Sequence, residues 1–440
     1  MFLTLINPLI FYRCSRGLAI ILVACIWQTA GAAESGLLSL AEAQRIAVSR
    51  ALQLSAQDAA TTAARDMAVA AGQLPDPVLK LGVDNLPVNG PDSFSLTRDF
   101  MTMRRIGIMQ ELPRGEKRKL KAERFEHDAQ RLEAERLVTL ASVQRDTALA
   151  WLDRYYAQTM REQLLLQQQE TALQVQSAET AFRSGRGSQS DVFAARAAVV
   201  GLEDRLSQTD RQLRSAALVL ARWVGTAADR PLAGAPPWNT STFDQYLNPL
   251  VQGQVFSEHI KEHPQMASLA AQVQAAQAEA RLAQANKSAD WSVEATYSQR
   301  GPAFSNMLSL GLSVPLQWDK ANRQDRELAA KLAMVNESQA RYDDMLRSHE
   351  AELRVLQNDW QSGKERVARF GLQLVPLAHQ RTEAALAVYR SGKGDLAAVL
   401  AARRDEIDVR LQAITAEMET ARLWAQLNFL IPDRTTAALH

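Results

Sequence analysis

The feature that most constrains the fold of this chain is a short sequence that occurs twice, 207 positions apart. Residues 182–196 read FRSGRGSQSDVFAAR and residues 389–403 read YRSGKGDLAAVLAAR, so eight of fifteen positions are identical. Solenoid repeats are roughly 20–50 residues long, far shorter than this spacing. The spacing therefore predicts one large structural unit that is present twice.

The composition favours long packed helices. Only 6% of the 440 residues are aromatic, 22% are charged and the formal net charge is +1. Ala, Gln, Glu, Arg and Leu dominate, which is typical of long packed helices. No Lys/Arg cluster alternates with aromatic residues, which argues against a nucleic-acid surface. The sequence also contains no phosphate-binding glycine loop and no recognisable Ser/His/Asp or Cys/His arrangement, so we expect neither an enzyme nor a cofactor.

The first 33 residues have the pattern of a secretory signal. Arg13 and Arg16 precede the apolar run Leu18–Trp27, and a small-residue stretch, Ala30–Ala33, follows it. The apolar run is shorter than a membrane-spanning helix. The pattern predicts that the mature protein leaves the cytoplasm.

Both cysteines, Cys14 and Cys25, lie within this signal segment, so no disulfide is expected in the mature chain. Two interpretations of Cys25 remain open. Leu22–Cys25 resembles a bacterial lipobox, in which the cysteine is acylated and becomes the mature N-terminus. The other interpretation is ordinary cleavage after the small-residue stretch.

Two long helical hairpins are predicted from apolar residues that recur at helical spacing. No proline occurs between Arg114 and Arg230, and a helix over residues 116–182 would be about 100 Å long. Glycines within 183–190 predict a tight reversal into a helix that ends near Val224. The second copy repeats this pattern with a helix over about 320–389, a turn at 391–395 and a helix to about residue 430.

Each hairpin is preceded by two segments with the alternation of β-strands. The predicted strands cover about residues 78–86, 104–112, 291–299 and 307–316. Their lengths match the roughly 9–11 residues of a tilted membrane-spanning strand. Four strands leave open edges, which cannot face lipid. The strands are therefore expected to close a barrel with strands from other copies of the chain.

These elements divide the chain into five regions. They are a signal segment (1–33), a first repeat (34–225), a connecting segment (226–253), a second repeat (254–432) and a C-terminal tail (433–440). The connecting segment contains Trp238, Phe243 and Tyr246, which favour burial against the helices over a flexible linker. The predicted fold class is mainly α with a small β part.

The duplicated strand pair and hairpin, with Arg-Ser-Gly at both turns, resembles the TolC-type outer-membrane factors of bacterial efflux and secretion systems. The resemblance covers about residues 38–432. Residues 100–113 with Lys117 and Arg118, and the segment Leu74–Pro77, are similar to members that serve heavy-metal efflux pumps. The alternative explanation of this finer similarity is structural, because a strand edge and a helix start favour the same residue types.

The resemblance implies a homotrimer in which twelve strands close an outer-membrane β-barrel, while the hairpins form a hollow α-barrel in the periplasm. It implies a periplasmic adaptor protein and an inner-membrane RND pump as partners, and outer-membrane lipid around the barrel. The implied function is a passive exit duct for heavy-metal cations, either copper/silver or cobalt/zinc/cadmium. Drug efflux or type I protein secretion is the alternative within this architecture. A periplasmic structural coiled-coil protein is the alternative outside it.

The resemblance also assigns roles to the two hairpin tips. The candidates for adaptor docking are Arg183, Ser184, Gly185, Arg390, Ser391 and Gly392. The candidates for a gate are Asp191, Asp395, Arg186 and Lys393. In the second copy, Ala398 and Ala401 stand where some relatives have aspartates, so Asp191 and Asp395 have an alternative role as ordinary helix N-terminal acids. For the tips, the alternative is a turn glycine beside a solvated arginine.

Two residue sets have the chemistry of metal ligands, but neither predicts a site. His259 and His263 have the i, i+4 spacing of ligands on a helix, yet no third ligand lies nearby in sequence. Met101, Met103 and Met109 offer thioethers to a soft cation, although packing within loop and strand is the simpler role. We expect no resident metal.

Overall fold

Helices make up most of the described chain. The computed structural model describes residues 36–236, 238 and 263–430. The first helix, α1 (Leu40–Arg50), begins after Ser39, whose hydroxyl accepts the backbone N–H of Glu42. It is followed after one residue by α2 (Leu52–Gly72). In the described ranges, no helix combines the length and the apolar character that a bilayer crossing requires.

The first hairpin consists of α3 (Gly115–Arg183) and α4 (Gln189–Val224). With 69 residues, α3 is about 100 Å long at 1.5 Å per residue. A short 3-10 turn, Gly225–Asp229, follows α4. The long helix predicted from the absence of proline is confirmed to within one residue at each end.

The second copy differs from its prediction in its first long helix, which begins at Gln324 instead of about residue 320 and is interrupted once. It contains α5 (Pro264–Asn286), α6 (Gln324–Arg369), α7 (Val375–Arg390) and α8 (Leu396–Asn428). The single helix expected over 320–389 is interrupted by one π turn, Phe370–Leu374. Pro376 follows directly and has no N–H to donate to this turn, which favours a local departure from α geometry.

The four strands form one antiparallel sheet in the order β1–β2–β3–β4. They are β1 (Val78–Asp84), β2 (Met103–Leu112), β3 (Trp291–Gln299) and β4 (Met307–Ser313). The first and last strands are shorter than predicted. Asn85 leaves β1 with a φ of 55°, and Pro315 has no N–H for a further ladder bond. The pairing of β2 with β3 joins the two copies of the repeat.

The main hydrophobic core lies near the middle of α3 and contains side chains from both copies. Its large members are Trp151, Tyr156, Leu220, Trp238, Trp360, Trp424 and Phe429. The indole of Trp151 donates to the Leu38 carbonyl at 3.1 Å, and that of Trp238 donates to the Tyr156 hydroxyl at 2.9 Å. Among the described residues, every buried Phe, Trp or Tyr side chain except that of Phe370 lies in this core, and Trp238 is buried as expected.

Several predictions fall outside the described residues. They concern the signal segment with Cys14 and Cys25, the aromatic residues Phe243 and Tyr246, His259, and the tail from residue 433. The described residues from Leu37 to Leu430 belong to one compact unit.

Candidate functional site: the two sheet faces and the hairpin tips

One face of the sheet is apolar and exposed. The register aligns the apolar positions of all four strands, so that Leu81 pairs with Ile106 and Tyr297 pairs with Leu308. The face comprises Leu79, Leu81, Val83, Ile106, Ile108, Leu112, Trp291, Val293, Ala295, Tyr297, Leu308, Leu310 and Leu312, with Arg104, Gln299 and Gln110 toward its two ends. Its large apolar side chains range from 38% to 80% exposed. A continuous apolar surface of this kind needs a partner or a lipid environment.

The opposite face of the sheet is polar. Its charged residues are Lys80, Asp84, Arg105, Glu111 and Glu294. The Lys80 Nζ lies 2.6 Å from the Glu294 carboxylate, although β2 runs between their strands. The two side chains meet because Gly107, which pairs with Lys80 and with Thr296, carries no side chain. A Cβ at Gly107 would lie 2.6 Å from the Thr296 hydroxyl oxygen and 3.2 Å from the Ala295 carbonyl oxygen, so any larger residue here requires the Thr296 side chain to move.

Both hairpin tips have the same backbone conformation. Gly185 and Gly392 adopt φ of 70° and 71°, a left-handed conformation that favours glycine. At each tip a serine hydroxyl donates to the carbonyl three residues earlier, at 2.9 Å for Ser184 and 2.8 Å for Ser391. The serine and glycine of the duplicated sequence therefore shape the turn itself.

The four basic residues of the tips are exposed. Arg183 Nε donates to the Glu179 carbonyl at 3.3 Å, and Arg186 Nε donates to the Ser184 hydroxyl at 3.2 Å. Arg390 and Lys393 make no side-chain hydrogen bond or ion pair within the described ranges. The second tip thus presents two cations that are free to meet a partner.

The predicted gate carboxylates both cap helices. At α4, the Ser188 hydroxyl accepts the Asp191 N–H at 3.1 Å and the Asp191 carboxylate accepts the Ser188 N–H at 2.9 Å, forming a capping box. At the second tip, Asp395 stands in place of Ser188 and accepts the Ala398 N–H at 2.9 Å. Ala398 has no carboxylate to return the bond. These contacts fit the helix-capping alternative, and a gating role stays a prediction.

A fully buried carboxylate lies on α8 above the second tip. The Glu406 side chain is 0% exposed, and its oxygens lie 2.6 Å from Arg410 and 3.4 Å from Arg403. His379 Nδ1 of α7 lies 2.9 Å from the same carboxylate. Burial acts to raise the pKa of Glu406, but hydrogen bonds from Thr382 and His379 and the two arginine charges outweigh it and lower the pKa. The group therefore stays ionised and ties α7 to α8.

Ion pairs also join the two hairpins above their tips. Arg403 of α8 lies 2.7 Å from Glu170 of α3, and Arg205 of α4 lies 2.5 Å from Asp408 of α8. A groove of about 520 Å³ is lined in part by Ala194, Ala197, Ala198, Gly201, Leu400 and Arg404. Arg403, Glu406 and Arg410 have the i, i+3 and i+7 spacing of one helix face, so the sequence indicates a charged face on α8. Their partners on α3 and α7, Glu170 and His379, are visible only in the structure.

His263 has a structural role within the described residues. Its Nδ1 accepts the Gln265 N–H at 3.3 Å as the N-cap of α5, and its ring centroid lies 4.4 Å from that of His349. Burial, together with the neighbouring His349, lowers the pKa of His263 to about 4. In residues 36–236, 238 and 263–430, no three His, Cys, Asp or Glu side chains are grouped to hold a metal ion.

Known proteins share this architecture. A sequence model of the outer membrane efflux protein family matches residues 255–431, which include β3, β4 and the second hairpin. No curated protein sequence matches the chain. Solved structures match about nine-tenths of it. The fold is that of outer-membrane channels.

Three solved structures illustrate the similarity. The outer membrane protein VceC of Vibrio cholerae has a TM-score of 0.72 and 16% identity, covering 89% of this chain and 95% of VceC. The open-state MtrE channel of Neisseria gonorrhoeae has a TM-score of 0.69 and 15% identity, covering 89% and 88%. The CmeC channel of Campylobacter jejuni has a TM-score of 0.69 and 11% identity, covering 89% and 85%. The predicted helical hairpins and four-stranded sheet are confirmed as this fold.

Proposed function

We propose that this chain is the outer-membrane channel of a tripartite efflux system and acts as a passive exit duct. The observation that carries the proposal is the sheet with one continuous exposed apolar face and one polar face. Such a sheet suits the wall of a membrane barrel, with apolar side chains toward lipid and polar side chains toward water. The family match over residues 255–431 and the channel fold support the same function.

Three copies of the chain close the barrel. Within one chain, β1 and β4 are the two edges of the sheet, and an unpaired edge cannot face lipid. Pairing β4 of one copy with β1 of the next gives a closed barrel of twelve strands. The helical hairpins of the three copies then continue the duct into the periplasm.

The hairpin tips are the docking site for a periplasmic adaptor that connects the duct to an inner-membrane RND pump. Arg390 and Lys393 support this role because both are exposed and unpaired within the described ranges. Arginine presents a planar fork of donors to carboxylates or carbonyl groups of a partner. The left-handed glycines at both tips allow a partner backbone to approach closely.

For the cargo we propose heavy-metal cations. The similarity of residues 100–113 to metal-efflux members supports this assignment, as does the position of two methionines. Met103 pairs with Asp84 and Met109 pairs with Glu294, which places both on the polar face of the sheet. Thioethers there favour soft cations such as copper(I) or silver(I). Drug efflux is the alternative cargo in the same architecture.

The membrane assignment is tested with a pair of substitutions on neighbouring residues of β4. Leu310 is 80% exposed on the apolar face, whereas Ser309 pairs with Thr296 on the polar face. Leu310→Arg is expected to deplete heat-sensitive trimers from outer-membrane extracts, because an arginine that faces lipid is destabilising, by up to about 2–4 kcal/mol at the bilayer midplane. Ser309→Arg is the matched control and retains the trimer. A soluble wild-type monomer refutes the channel assignment.

The cargo is tested by deleting the gene and restoring it in trans. We expect the deletion strain to lose tolerance to one group of metals, among copper, silver, zinc, cobalt and cadmium, and to regain it on complementation. Unchanged metal tolerance together with lost drug tolerance would replace the metal assignment by drug efflux, while leaving the channel function intact.

A further inference from the structure

The apolar face of the sheet continues past the end of β4. Leu308, Leu310 and Leu312 alternate within the strand, and Val314, Leu316 and Trp318 keep the same alternation beyond it. Leu316 is 68% exposed and Trp318 is 88% exposed. Leu308, Leu310 and Leu312 therefore form an apolar stripe on β4, and the chain continues from it through the exposed side chains of Leu316 and Trp318.

The strand and the segment after it together extend toward the boundary of a membrane's apolar layer. β4 covers six residue steps, which span about 20 Å at roughly 3.3 Å per residue and about 15 Å along the membrane normal at a tilt of about 40°. The apolar band of outer-membrane barrels is about 25 Å high, so the exposed residues Leu316 and Trp318, which follow the strand, continue this band toward the helices. Trp318 then lies at the boundary nearest the helices, where tryptophan prefers the interface between hydrocarbon and water.

The segment that carries Trp318 is fixed to the helices. Gln317 is half-buried and donates to the Asn286 carbonyl at the end of α5, at 3.1 Å. Lys287 lies 2.7 Å from Asp325 at the start of α6, which holds the two helix ends together. Because the Gln317 side chain points toward the helices, the side chain of its neighbour Trp318 lies exposed on the protein surface.

Two exposed cations follow Trp318 within five residues. Lys320 and Arg323 make no side-chain hydrogen bond or ion pair within the described part of the chain. The nearby Asp319 carboxylate accepts the backbone N–H and the side-chain amide of Asn322, at 3.2 Å and 3.1 Å. Glu327 is the next exposed acid along the chain. The segment thus carries an exposed tryptophan followed in sequence by two exposed basic residues without a side-chain partner in the described part of the chain.

We propose that Trp318, Lys320 and Arg323 form a binding site for the phosphodiester headgroup of an anionic phospholipid in the periplasmic leaflet. The Trp318 indole lies at the depth of the lipid headgroups, and the charges of Lys320 and Arg323 favour an anionic lipid over a zwitterionic one. This site rests on the proposed membrane barrel. The competing occupant of this site is a neighbouring copy of the chain, in which one acid, Asp76, lies just before β1.

The test measures lipid binding to the purified trimer by native mass spectrometry, with phosphatidylglycerol and phosphatidylcholine as probes. Lys320→Gln/Arg323→Gln is expected to weaken phosphatidylglycerol binding by roughly tenfold and to leave phosphatidylcholine binding unchanged. The matched control, Arg186→Gln/Lys393→Gln, removes the same number of charges at the hairpin tips and leaves both lipids unaffected. Unchanged phosphatidylglycerol binding in the first variant overturns the proposal.

Two further readouts separate the alternatives. If Lys320→Gln/Arg323→Gln and Asp76→Asn each dissociate the trimer, the cations contact a neighbouring copy and the lipid site is refuted. If the double variant does not fold, quenching of wild-type fluorescence by 5-doxyl phosphatidylglycerol is compared with that of Trp318→Phe. Equal quenching in both proteins also overturns the proposal. An absence of wild-type trimers in the membrane refutes the channel function instead.

Discussion

The two hairpins share a turn but differ in the contacts above it. Arg196 and Arg403 are equivalent, 207 residues apart. Arg196 is 58% exposed and pairs with Glu179 of its own hairpin, whereas Arg403 is 12% exposed and contacts Glu170 of the other hairpin. The same residue type therefore has a solvated role in one copy and a connecting role in the other.

The difference extends to the next turn of helix. Glu406 of α8 is fully buried among arginines, and the residue 207 positions earlier is Val199. Both copies thus keep the serine and the glycine that the backbone of the turn requires. In the described residues, Glu406 of the second copy joins α7 to α8, and its partner Arg403 joins α8 to α3. We infer that the first tip depends on local hydrogen bonds and the second depends also on long-range ion pairs.

The largest expected effect comes from removing the buried charge. Glu406→Gln leaves Arg410 without its counter-charge and leaves Arg403 with Glu170 alone, and breaking a buried pair in this way costs about 3 kcal/mol. Glu179→Gln makes the same chemical change beside the equivalent, exposed arginine and costs less than about 1 kcal/mol. Denaturation followed by circular dichroism compares the two, and equal losses would contradict the distinction between the copies.

The second prediction concerns pH. An unfolded histidine titrates near about 6.5, whereas the pKa of buried His263 is about 4. The unfolded state therefore binds the proton first, so stability is complete above about pH 6.5 and falls by roughly 2–3 kcal/mol as the pH drops toward 4.

The first copy offers a comparison for this pH effect. Trp151 and Trp360 are 209 residues apart, and the same separation places Leu140 of the first copy at the position of His349. In His263→Gln/His349→Leu, the loss of stability between pH 6.5 and 4 is expected to shrink, as measured by denaturation at each pH. A slope identical to that of the wild type would assign the acid sensitivity to other groups.

The third prediction treats the two tips as equals. Gly185→Ala and Gly392→Ala each place a Cβ in a left-handed conformation, which costs about 1–2 kcal/mol. Because φ is nearly the same at both positions, the two variants are expected to lose the same stability within about 0.5 kcal/mol. A clearly larger loss at one tip would show that the turns differ more than their backbones indicate.

The smallest effects are expected from the helix caps. Ser188→Ala and Asp395→Ala each remove a side-chain acceptor at a helix N-terminus, at a cost of about 1 kcal/mol. Asp191→Ala removes only the returning bond of the capping box and makes the first cap resemble the second, where Ala398 occurs naturally. Its loss of stability, measured in the same denaturation assay, should be smaller than that of Ser188→Ala. A larger loss would point to a role beyond capping.

The strands and turns were predictable because their signals are local. Alternation along Leu308, Leu310 and Leu312 predicts one apolar face from a single stretch of sequence, and glycine in the turn predicts a left-handed residue. The positions of the strand ends were predicted less accurately. The φ of Asn85 and the missing donor of Pro315 terminate strands earlier than alternation alone indicates.

The charged clusters were not predictable to the same degree. Lys80 and Glu294 are 214 residues apart, and their contact depends on the adjacency of β2 to both strands and on the absence of a side chain at Gly107. Sequence spacing along α8 indicates a charged face, but it does not indicate that Glu406 is buried. Capping by Asp191 and Asp395 also needed the backbone geometry of the turns.

The sequence by itself therefore determined the duplicated strand pair and hairpin, the alternation of the strands and the left-handed glycine turns, because propensity and periodicity act between residues that are close in the chain. Only the tertiary structure decided that β2 pairs with β3, that the Arg403 side chain is only 12% exposed while that of Arg196 is 58% exposed, and that the Trp318 side chain is exposed. The reason is that burial and ion pairing depend on which distant elements come to lie side by side, and helical or strand periodicity is the same whichever neighbour arrives.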